Sequence, residues 1–131
     1  MDELPIRSGD DVVRVRQRVR VVAADSGLSL VDQTKVVTAA SELARNALVH
    51  GGGGRAQLEV VTSGNGRKGI KIGFIDDGPG IPDTELALTD GWTTGGGLGL
   101  GLSGARRLVD DFELTSKPGD GTSVVVVKWS R

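Results

Sequence analysis

The sequence between positions 72 and 82 is the stretch on which the interpretation of the fold depends. It reads Ile72-Gly73-Phe74-Ile75-Asp76-Asp77-Gly78-Pro79-Gly80-Ile81-Pro82. A β-rich apolar run passes directly into a carboxylate and then into glycines that let a flat ring approach the backbone. Asp76 is therefore suited to accept a hydrogen bond from an exocyclic amine such as that of adenine. Asp, Gly and Pro are also the ordinary residues of a type I or II turn, so the stretch alone leaves both interpretations open.

Upstream of this stretch, residues 29 to 49 have the periodicity of an amphipathic helix. Ser29 offers an N-cap oxygen, and an apolar stripe recurs at helical spacing through Val36, Val37, Ala40, Leu43, Ala44, Ala47 and Leu48. Glu42 and Asn46 lie four residues apart and therefore project from the same side of this helix. A magnesium–phosphate site needs this pair of groups, because Asn46 offers an oxygen ligand and Glu42 can take a proton from an attacking hydroxyl. The alternative is that both side chains simply lie on the solvent face of the helix.

Downstream of the same stretch, glycines accumulate in a long polar loop. Nine of the 21 glycines fall between Gly78 and Gly104, and four more form the run Gly51 to Gly54. The segment 99–104 satisfies the pattern G-x-G-x-x-G, but no buried strand precedes it, as the Rossmann motif requires, and the chain has no Walker lysine at the required spacing. A helix from about 98 to 109 that opens with glycines still offers free N–H groups and a positive dipole end to a phosphate. Simple loop flexibility is the alternative.

The order of the remaining elements predicts an α+β domain. Residues 10 to 25 partly alternate like a strand, but their valines also recur at helical spacing, which favours a helix. We predict strands at 4–8, 56–62, 70–75, 112–116 and 123–129, and helices at 10–25, 29–49 and 98–109. This order is typical of a two-layer α/β sandwich with its helices on one face of a mixed sheet. We expect residues 1–131 to form a single domain.

Composition excludes several classes of site and partner. The chain has 131 residues with 16 Lys and Arg against 17 Asp and Glu, a single His and no Cys. A zinc site made of Cys and His and a thiol nucleophile are therefore excluded, and the net charge of -1 argues against a nucleic-acid partner. Neither a signal peptide nor an apolar run of membrane-spanning length is present, so we expect a cytoplasmic protein with no membrane partner.

Taken together and in this order, the motifs resemble those of one family. Glu42-Leu43-Ala44-Arg45-Asn46 resembles the N box, residues 76–80 the first glycine box, and residues 97–102 the second glycine box of the Bergerat-fold (GHKL) ATPases. Residues 119–122 resemble the last element of that fold. Over essentially residues 5–131 the chain is similar to the small anti-sigma-factor-type serine/threonine kinases, and within them to the RsbT-type switch kinases of the stressosome.

The resemblance implies a site for ATP and Mg²⁺ and a role for each matching residue. The base would be bound by Asp76, which holds the adenine amine, by Thr122 and by the glycines Gly78 and Gly80, while Gly97, Gly99 and Gly101 would wrap the phosphates. Asn46 would bind Mg²⁺, and Glu42 would be the general base. Residues 82–96 would form a short mobile lid over the nucleotide.

The resemblance also implies a signalling function. The chain would phosphorylate a Ser or Thr of a STAS-domain partner and would then be released to activate a downstream signalling protein. A second interpretation is a nucleotide-binding module of the anti-sigma type that sequesters its partner with little or no turnover. The catalytic half of a histidine kinase is a weaker expectation, since 41 residues precede Glu42 and none of them is a histidine.

Three features of the sequence do not follow from the resemblance. The run Gly51 to Gly54 stands where the anti-sigma branch often has a bulkier residue, which leaves the role of His50 open. The arginines of the run 14–20 either meet an acidic partner or form a solvated helix face. Trp92, in the expected lid, either stacks on a ligand or packs onto the domain.

Overall fold

The computed structural model describes residues 2–80, 101–116 and 119–131, which form five strands and three helices. In chain order these are β1 (Asp2–Ile6), α1 (Gly9–Asp25), α2 (Leu30–Val49), β2 (Gly54–Thr62), β3 (Lys68–Asp76), α3 (Gly101–Arg107), β4 (Asp111–Ser116) and β5 (Thr122–Trp129). The predicted order of elements is confirmed. No helix of these described segments is both long and apolar enough to cross a bilayer.

Serine caps fix where the first two helices begin. The Ser8 hydroxyl accepts from the Asp11 N–H at 3.3 Å, and the Ser29 hydroxyl accepts from the Asp32 N–H at 3.1 Å. Because the chain turns at Ser8, the first strand is Asp2–Ile6 rather than the predicted 4–8. The helical interpretation of residues 10 to 25 is confirmed, since the residues at helical spacing are the buried ones: Val12, Val15, Val19, Val22 and Ala23.

The strands form one sheet in the order β1-β2-β3-β5-β4, and every pairing among the described strands is antiparallel. The two-layer α+β architecture is confirmed, but the expectation of a mixed sheet was wrong in this part of the chain. The physical reason is the connectivity: only five residues separate β2 from β3 and five separate β4 from β5, which is enough for antiparallel pairing but too short for a parallel crossover, and β5 also lies antiparallel to β3.

The helices and the sheet bury one shared core. On β3 the side chains of Ile70, Ile72 and Phe74 are buried, while those of Lys68 and Lys71 are exposed. The three buried side chains of β3 form one hydrophobic cluster with the buried stripes of α1 and α2 and with Leu102 and Ala105 of α3. All three helices therefore pack on the same face of the sheet, as predicted.

A buried ion pair joins the first turn of α2 to the interior strand β5. Asp32 and Lys128 are almost fully buried, and Lys128 Nζ lies 3.7 Å from Asp32 Oδ1 and 3.3 Å from Asp110 Oδ1. Arg131 Nε lies 3.3 Å from the other oxygen of Asp32. Burial opposes ionisation of Asp32, but these two cations outweigh it and lower the pKa of its carboxyl below the ordinary value.

Candidate functional site

At one end of the sheet, four strands are paired through one row of opposing residues, which we call the terminal rung. In the register of the sheet, Gly54 of β2 lies opposite Asp76 of β3, Asp76 lies opposite Thr122 of β5, and Thr122 lies opposite Ser116 of β4. Counting in steps of two from the buried residues of β2, β3 and β5, and from the half-buried Leu114 of β4, places all four positions on the face that the helices cover. Two residues singled out from the sequence, Asp76 and Thr122, are therefore neighbours at one end of the sheet.

Asp76 is held in place by backbone donors. Its Oδ1 accepts from the Gly78 N–H at 2.9 Å, and the Thr122 N–H of the neighbouring strand interacts electrostatically with the same carboxyl. Burial raises the pKa of the Asp76 carboxyl above its ordinary value, and Asp77 adds to this, while the two N–H donors act in the opposite direction. A carboxylate has about four lone-pair sites, so this oriented group keeps acceptor capacity for a ligand.

Glycines let the backbone close tightly around Asp76. A Cβ on Gly51 would lie 2.3 Å from Asp76 Cγ, and one on Gly78 would lie 2.6 Å from the Gly51 Cα. A Cβ on Gly54 would lie 2.1 Å from the Ile75 carbonyl oxygen, and one on Gly121, whose φ is +80°, would lie 2.1 Å from the Asp76 carbonyl oxygen. No side chain fits at any of these four positions, so each of the four backbone segments approaches Asp76 or its loop directly.

The end of α2 forms the wall above Asp76. The N–H groups of His50 and Gly51 both donate to the Asn46 carbonyl, at 2.9 and 3.3 Å, so the last turn of the helix runs directly into the glycine that touches Asp76. Glu42 and Asn46 lie one turn apart on α2, and both are half-buried. The half-burial of both residues argues against a fully solvated helix face.

The first glycine box is tied to the β4–β5 turn. The Gly119 N–H donates to the Pro79 carbonyl at 2.8 Å, and Gly80 has a left-handed φ of +79°. Gly101, with a φ of +70°, opens α3, which packs on α2. Of the other predicted site residues, Gly97 and Gly99 lie outside the described residues, as do the expected lid 82–96 and Trp92.

Comparison with known families decides which family the chain belongs to. The family model described as histidine kinase-, DNA gyrase B- and HSP90-like ATPase matches residues 31–130. The chain belongs to this ATPase family. Membership in the histidine kinase-, gyrase B- and HSP90-like (GHKL) ATPases confirms the resemblance seen in the sequence and makes ATP the nucleotide that the domain uses.

Individual relatives within the GHKL ATPases are also similar over most of the chain. The chain is 47% identical to the serine/threonine-protein kinase RsbT of Bacillus subtilis over 121 residues, which cover 92% of this chain and 90% of that protein. It is 29% identical to an anti-sigma F factor of Thermoanaerobacter sp. (strain X514) over 87% of this chain and 82% of that protein.

A solved structure of the RsbU and RsbW domains of Rv1364c from Mycobacterium tuberculosis shares the fold. Its TM-score is 0.64 at 23% identity, and the match covers the whole of this chain and 33% of that one. The chain therefore spans about a third of that structure, and at this identity the match supports the fold alone.

Two parts of this candidate site are not indicated by the sequence motifs. In the sequence the run Gly51 to Gly54 stands out only as a departure from the family pattern, whereas in the structure Gly51 and Gly54 provide the close approaches to Asp76 and Ile75. Ser116 was assigned only as the end of a strand, yet it lies opposite Thr122 in the terminal rung. The sequence does carry one signal for the first of these parts, because four consecutive glycines are more than a turn requires and indicate a close approach of the backbone to another segment.

Proposed function

We propose that this chain is an ATP-dependent serine/threonine kinase that phosphorylates a partner protein. At the level of the site, one observation carries the proposal: the half-buried pair Glu42 and Asn46 lies on the helix whose end closes against Asp76. Identity of 47% to a protein named as a serine/threonine kinase, over 92% of this chain, supports the same conclusion. The whole of residues 1–131 acts as one domain in this proposal.

Recognition of the adenine base falls to the terminal rung of the sheet. The Asp76 carboxylate accepts a hydrogen bond from the exocyclic amine, Thr122 contacts the base beside it, and Gly78 and Gly80 shape the wall of the base pocket. The absence of side chains at Gly51 and Gly78 supports this assignment, since it leaves Asp76 bordered by backbone that a flat ring can approach. Gly97, Gly99 and Gly101 bind the phosphates through their backbone N–H groups.

Asn46 is the proposed ligand of Mg²⁺. Its amide oxygen is a hard donor of the kind that Mg²⁺ prefers, and it sits on the rigid last turns of α2. In the described part of the chain no three His, Asp or Glu side chains come together as a metal site, which fits an ion held mainly by phosphate oxygens and water. When bound, Mg²⁺ supplies charge neutralisation on the phosphate oxygens.

Glu42 is the proposed general base. Its carboxylate takes the proton from the Ser or Thr hydroxyl of the partner while that oxygen forms a bond to the γ-phosphorus. The bond from the γ-phosphorus to its bridging oxygen breaks, and ADP leaves with that electron pair. Such a transfer depends on positioning and charge stabilisation more than on covalent chemistry from the protein, so a small domain suffices.

The proposed phosphoacceptor is a STAS-domain protein, and a second signalling protein is activated after release. Similarity to RsbT and to an anti-sigma F factor supports a role in regulatory protein–protein interactions. No nucleic acid or membrane takes part in this proposal, and its setting is the cytoplasm.

A nucleotide-binding module that sequesters a partner is the second candidate. It is favoured by the 29% identity to a protein named as an anti-sigma F factor. The two candidates differ in one product, because only a kinase leaves a phosphate on the partner.

The deciding experiment is phosphotransfer to a purified STAS-domain partner with Mg-ATP, followed by intact mass spectrometry. Glu42→Ala should slow single-turnover transfer by about 10²–10⁴-fold with nearly unchanged nucleotide affinity, since a general base acts only on the chemical step. Asn46→Ala should weaken Mg-ATP binding as well. Glu113→Ala, which removes an exposed carboxylate from β4, is the matched control. Transfer by Glu42→Ala at the unmodified rate would contradict the base assignment, and no transfer by the unmodified chain would favour sequestration.

A further inference from the structure

Strand β5 is apolar on both of its faces. Four consecutive valines run from Val124 to Val127. Val124 and Val126 are buried beneath the helices, and the alternation of a strand places Val125 and Val127 on the opposite face of the sheet. A strand with apolar side chains on both faces is typical of a sheet that is covered on both sides. The three described helices all lie on the other side, so Val125 and Val127 belong to an apolar face that no described helix covers.

The two valines are part of a longer apolar stripe on this outer face. Trp129 follows on the same face of β5, and its indole lies against Gly69 of β3, because a Cβ on Gly69 would lie 2.7 Å from Trp129 Cε3. Ile75 of β3 lies opposite Ser123 and stands on the same face at the other end. All four side chains are partly accessible. We call this set the outer-face stripe: Ile75, Val125, Val127 and Trp129.

A glycine leaves a shallow groove along the middle of the stripe. Gly73 of β3 lies opposite Val125 on one side and Gln57 of β2 on the other, and it adds no side chain between them. The nearest described atom to a Cβ on Gly73 would be Gln57 Oε1 at 3.9 Å, so the space above this backbone is open. From Ile75 to Trp129 the stripe is about 20 Å long, and β2 and β5 on either side of β3 are about 10 Å apart. These dimensions match a helix of about 14 residues with its side chains.

Carboxylates line one side of the stripe. Asp111 and Glu113 of the edge strand β4 lie opposite Val127 and Val125, so they stand on the outer face beside the two valines. Both are exposed. Asp111 accepts from the Trp129 indole N–H at 3.2 Å, and Glu113 forms no ion pair within the described part of the chain. We call Asp111 and Glu113 the acidic rim, and no cation of the described residues neutralises it.

Two cations on the other side of the stripe already have partners. Arg55 Nε lies 3.6 Å from Glu3 Oε1, and Lys71 Nζ lies 4.0 Å from Glu59 Oε1. These two pairs leave the acidic rim as the unbalanced part of the surface. A ligand that covers the stripe therefore gains most from positive charge along the rim, because opposite charges across an interface favour association and like charges disfavour it.

We propose that the outer face of the sheet is a docking surface for an amphipathic helix of a partner protein, with its apolar ridge on the outer-face stripe and Lys or Arg side chains over the acidic rim. Recognition of this kind, in which the apolar side of a helix lies in a hydrophobic groove, recurs in protein–peptide complexes. The surface goes beyond the proposed function, because it lies on the side of the sheet that faces away from α2 and Glu42. A helix bound there is not the segment that Glu42 would deprotonate, so the surface suits a second, regulatory partner.

The probe is a synthetic peptide of about 16 residues, long enough to cover the stripe as a helix, with a leucine ridge and lysines on its polar side. One matched peptide has glutamates in place of the lysines, and another has the same residues as the lysine peptide in an order that forms no ridge. Fluorescence anisotropy of the labelled peptides measures their affinities for the unmodified chain without nucleotide. We expect the lysine peptide to bind at least about tenfold more tightly than either matched peptide, and its affinity to fall with added salt.

Substitutions on the outer face locate the binding. Val125→Thr combined with Val127→Thr keeps β-branched side chains and should weaken binding of the lysine peptide about tenfold, since two apolar contacts gain hydroxyls. Glu113→Lys should weaken binding of the lysine peptide by a similar factor and strengthen binding of the glutamate peptide. Val21→Thr and Asp25→Lys are the matched controls, because they make the same kinds of change at exposed positions of α1.

Each result decides between this occupant and the others. A lysine peptide that does not bind, that shows no preference over the matched peptides, or whose binding the outer-face variants leave unchanged overturns the proposal. A chain that sediments as a dimer, and as a monomer in the double threonine variant, assigns the face to a second copy and also overturns it. If the double variant does not fold, Glu113→Lys decides alone, and an unchanged preference for the lysine peptide overturns the proposal. Because these measurements need neither ATP nor a phosphoacceptor, failure of the phosphotransfer experiment would leave their result standing.

Discussion

A methyl group at Gly51 is expected to separate the end of α2 from Asp76. An ideal Cβ at this position lies 2.3 Å from Asp76 Cγ, 2.6 Å from Asp76 Cβ and 2.7 Å from the Ala47 carbonyl oxygen. Gly51 is not among the glycines with positive φ, so its backbone conformation is open to alanine. The obstacle to Gly51→Ala is therefore space alone.

The size of the effect follows from what must move. Because Asp76 Cβ and a backbone carbonyl are both in the way, rotation of the carboxylate is insufficient and the last turn of α2 must shift. Moving the carboxylate out of position removes a hydrogen bond to a charged group, about 1.5–3 kcal/mol, which is about a 10–150-fold loss of ATP affinity. The overpacking itself should lower the free energy of unfolding by about 1–3 kcal/mol.

Calorimetric titration with a non-hydrolysable ATP analogue measures the loss of affinity in Gly51→Ala, and urea unfolding measures its free energy of unfolding. Gly64→Ala is the matched control, because it adds the same methyl group at a glycine with no atom within 4 Å and no positive φ. Native affinity and native stability in Gly51→Ala would refute the close packing of α2 against Asp76 and with it the assignment of this rung as the base site.

Two further predictions concern titrating groups. Asp76→Asn should weaken ATP binding by about 10–150-fold without unfolding the chain. The ATP affinity of the unmodified chain should fall as the pH drops through the raised pKa of Asp76. Binding titrations at a series of pH values check both expectations, and an ATP affinity that does not change in the acidic range would count against the assignment. Lys128→Met should lower the free energy of unfolding by about 3–5 kcal/mol, against little change for the exposed Lys68→Met, and urea unfolding measures the difference. Because the pKa of Asp32 is lowered on folding, its stabilising effect is complete above the ordinary value of 3.8 and is lost as the pH falls through the folded pKa. Lys128→Met should diminish this acid sensitivity, and an unchanged acid profile would show that Asp32 does not depend on Lys128.

Local periodicity was enough to predict the elements of this fold. The valines of α1 lie at helical spacing, and their burial shows that this spacing outweighs the partial alternation of the same residues. Ser29 predicted the start of α2, and its hydroxyl accepts from the Asp32 N–H. These features depend on neighbours a few residues apart, which a sequence displays directly.

The arrangement of the sheet and the packing of the site were less predictable. Nothing local in residues 122–129 indicates that β5 lies between β3 and β4, and the sheet was expected to be mixed. The order of the motifs predicted that Asp76 and Thr122 share a site, and they are neighbours in the sheet. The contact of Gly51 with Asp76 and the bond between Ser116 and Thr122 depend on distances across the fold, which spacing along the chain does not contain.

The position of β5 between β3 and β4 sets a kinetic order for assembly. Strand β5 is the last of the described strands along the chain, yet it lies in the interior of the sheet, so β4 has no strand to pair with until residues 122–129 arrive. Pairing β5 with β3 closes the chain segment between these two strands, which has an entropic cost, and such non-local pairings form slowly. Thr122 pairs with Asp76 across the sheet only at this step. A ribosome-bound chain that has not yet released residues 122–129 therefore lacks one strand of the proposed nucleotide site, and we expect it to bind ATP only after the sheet has closed.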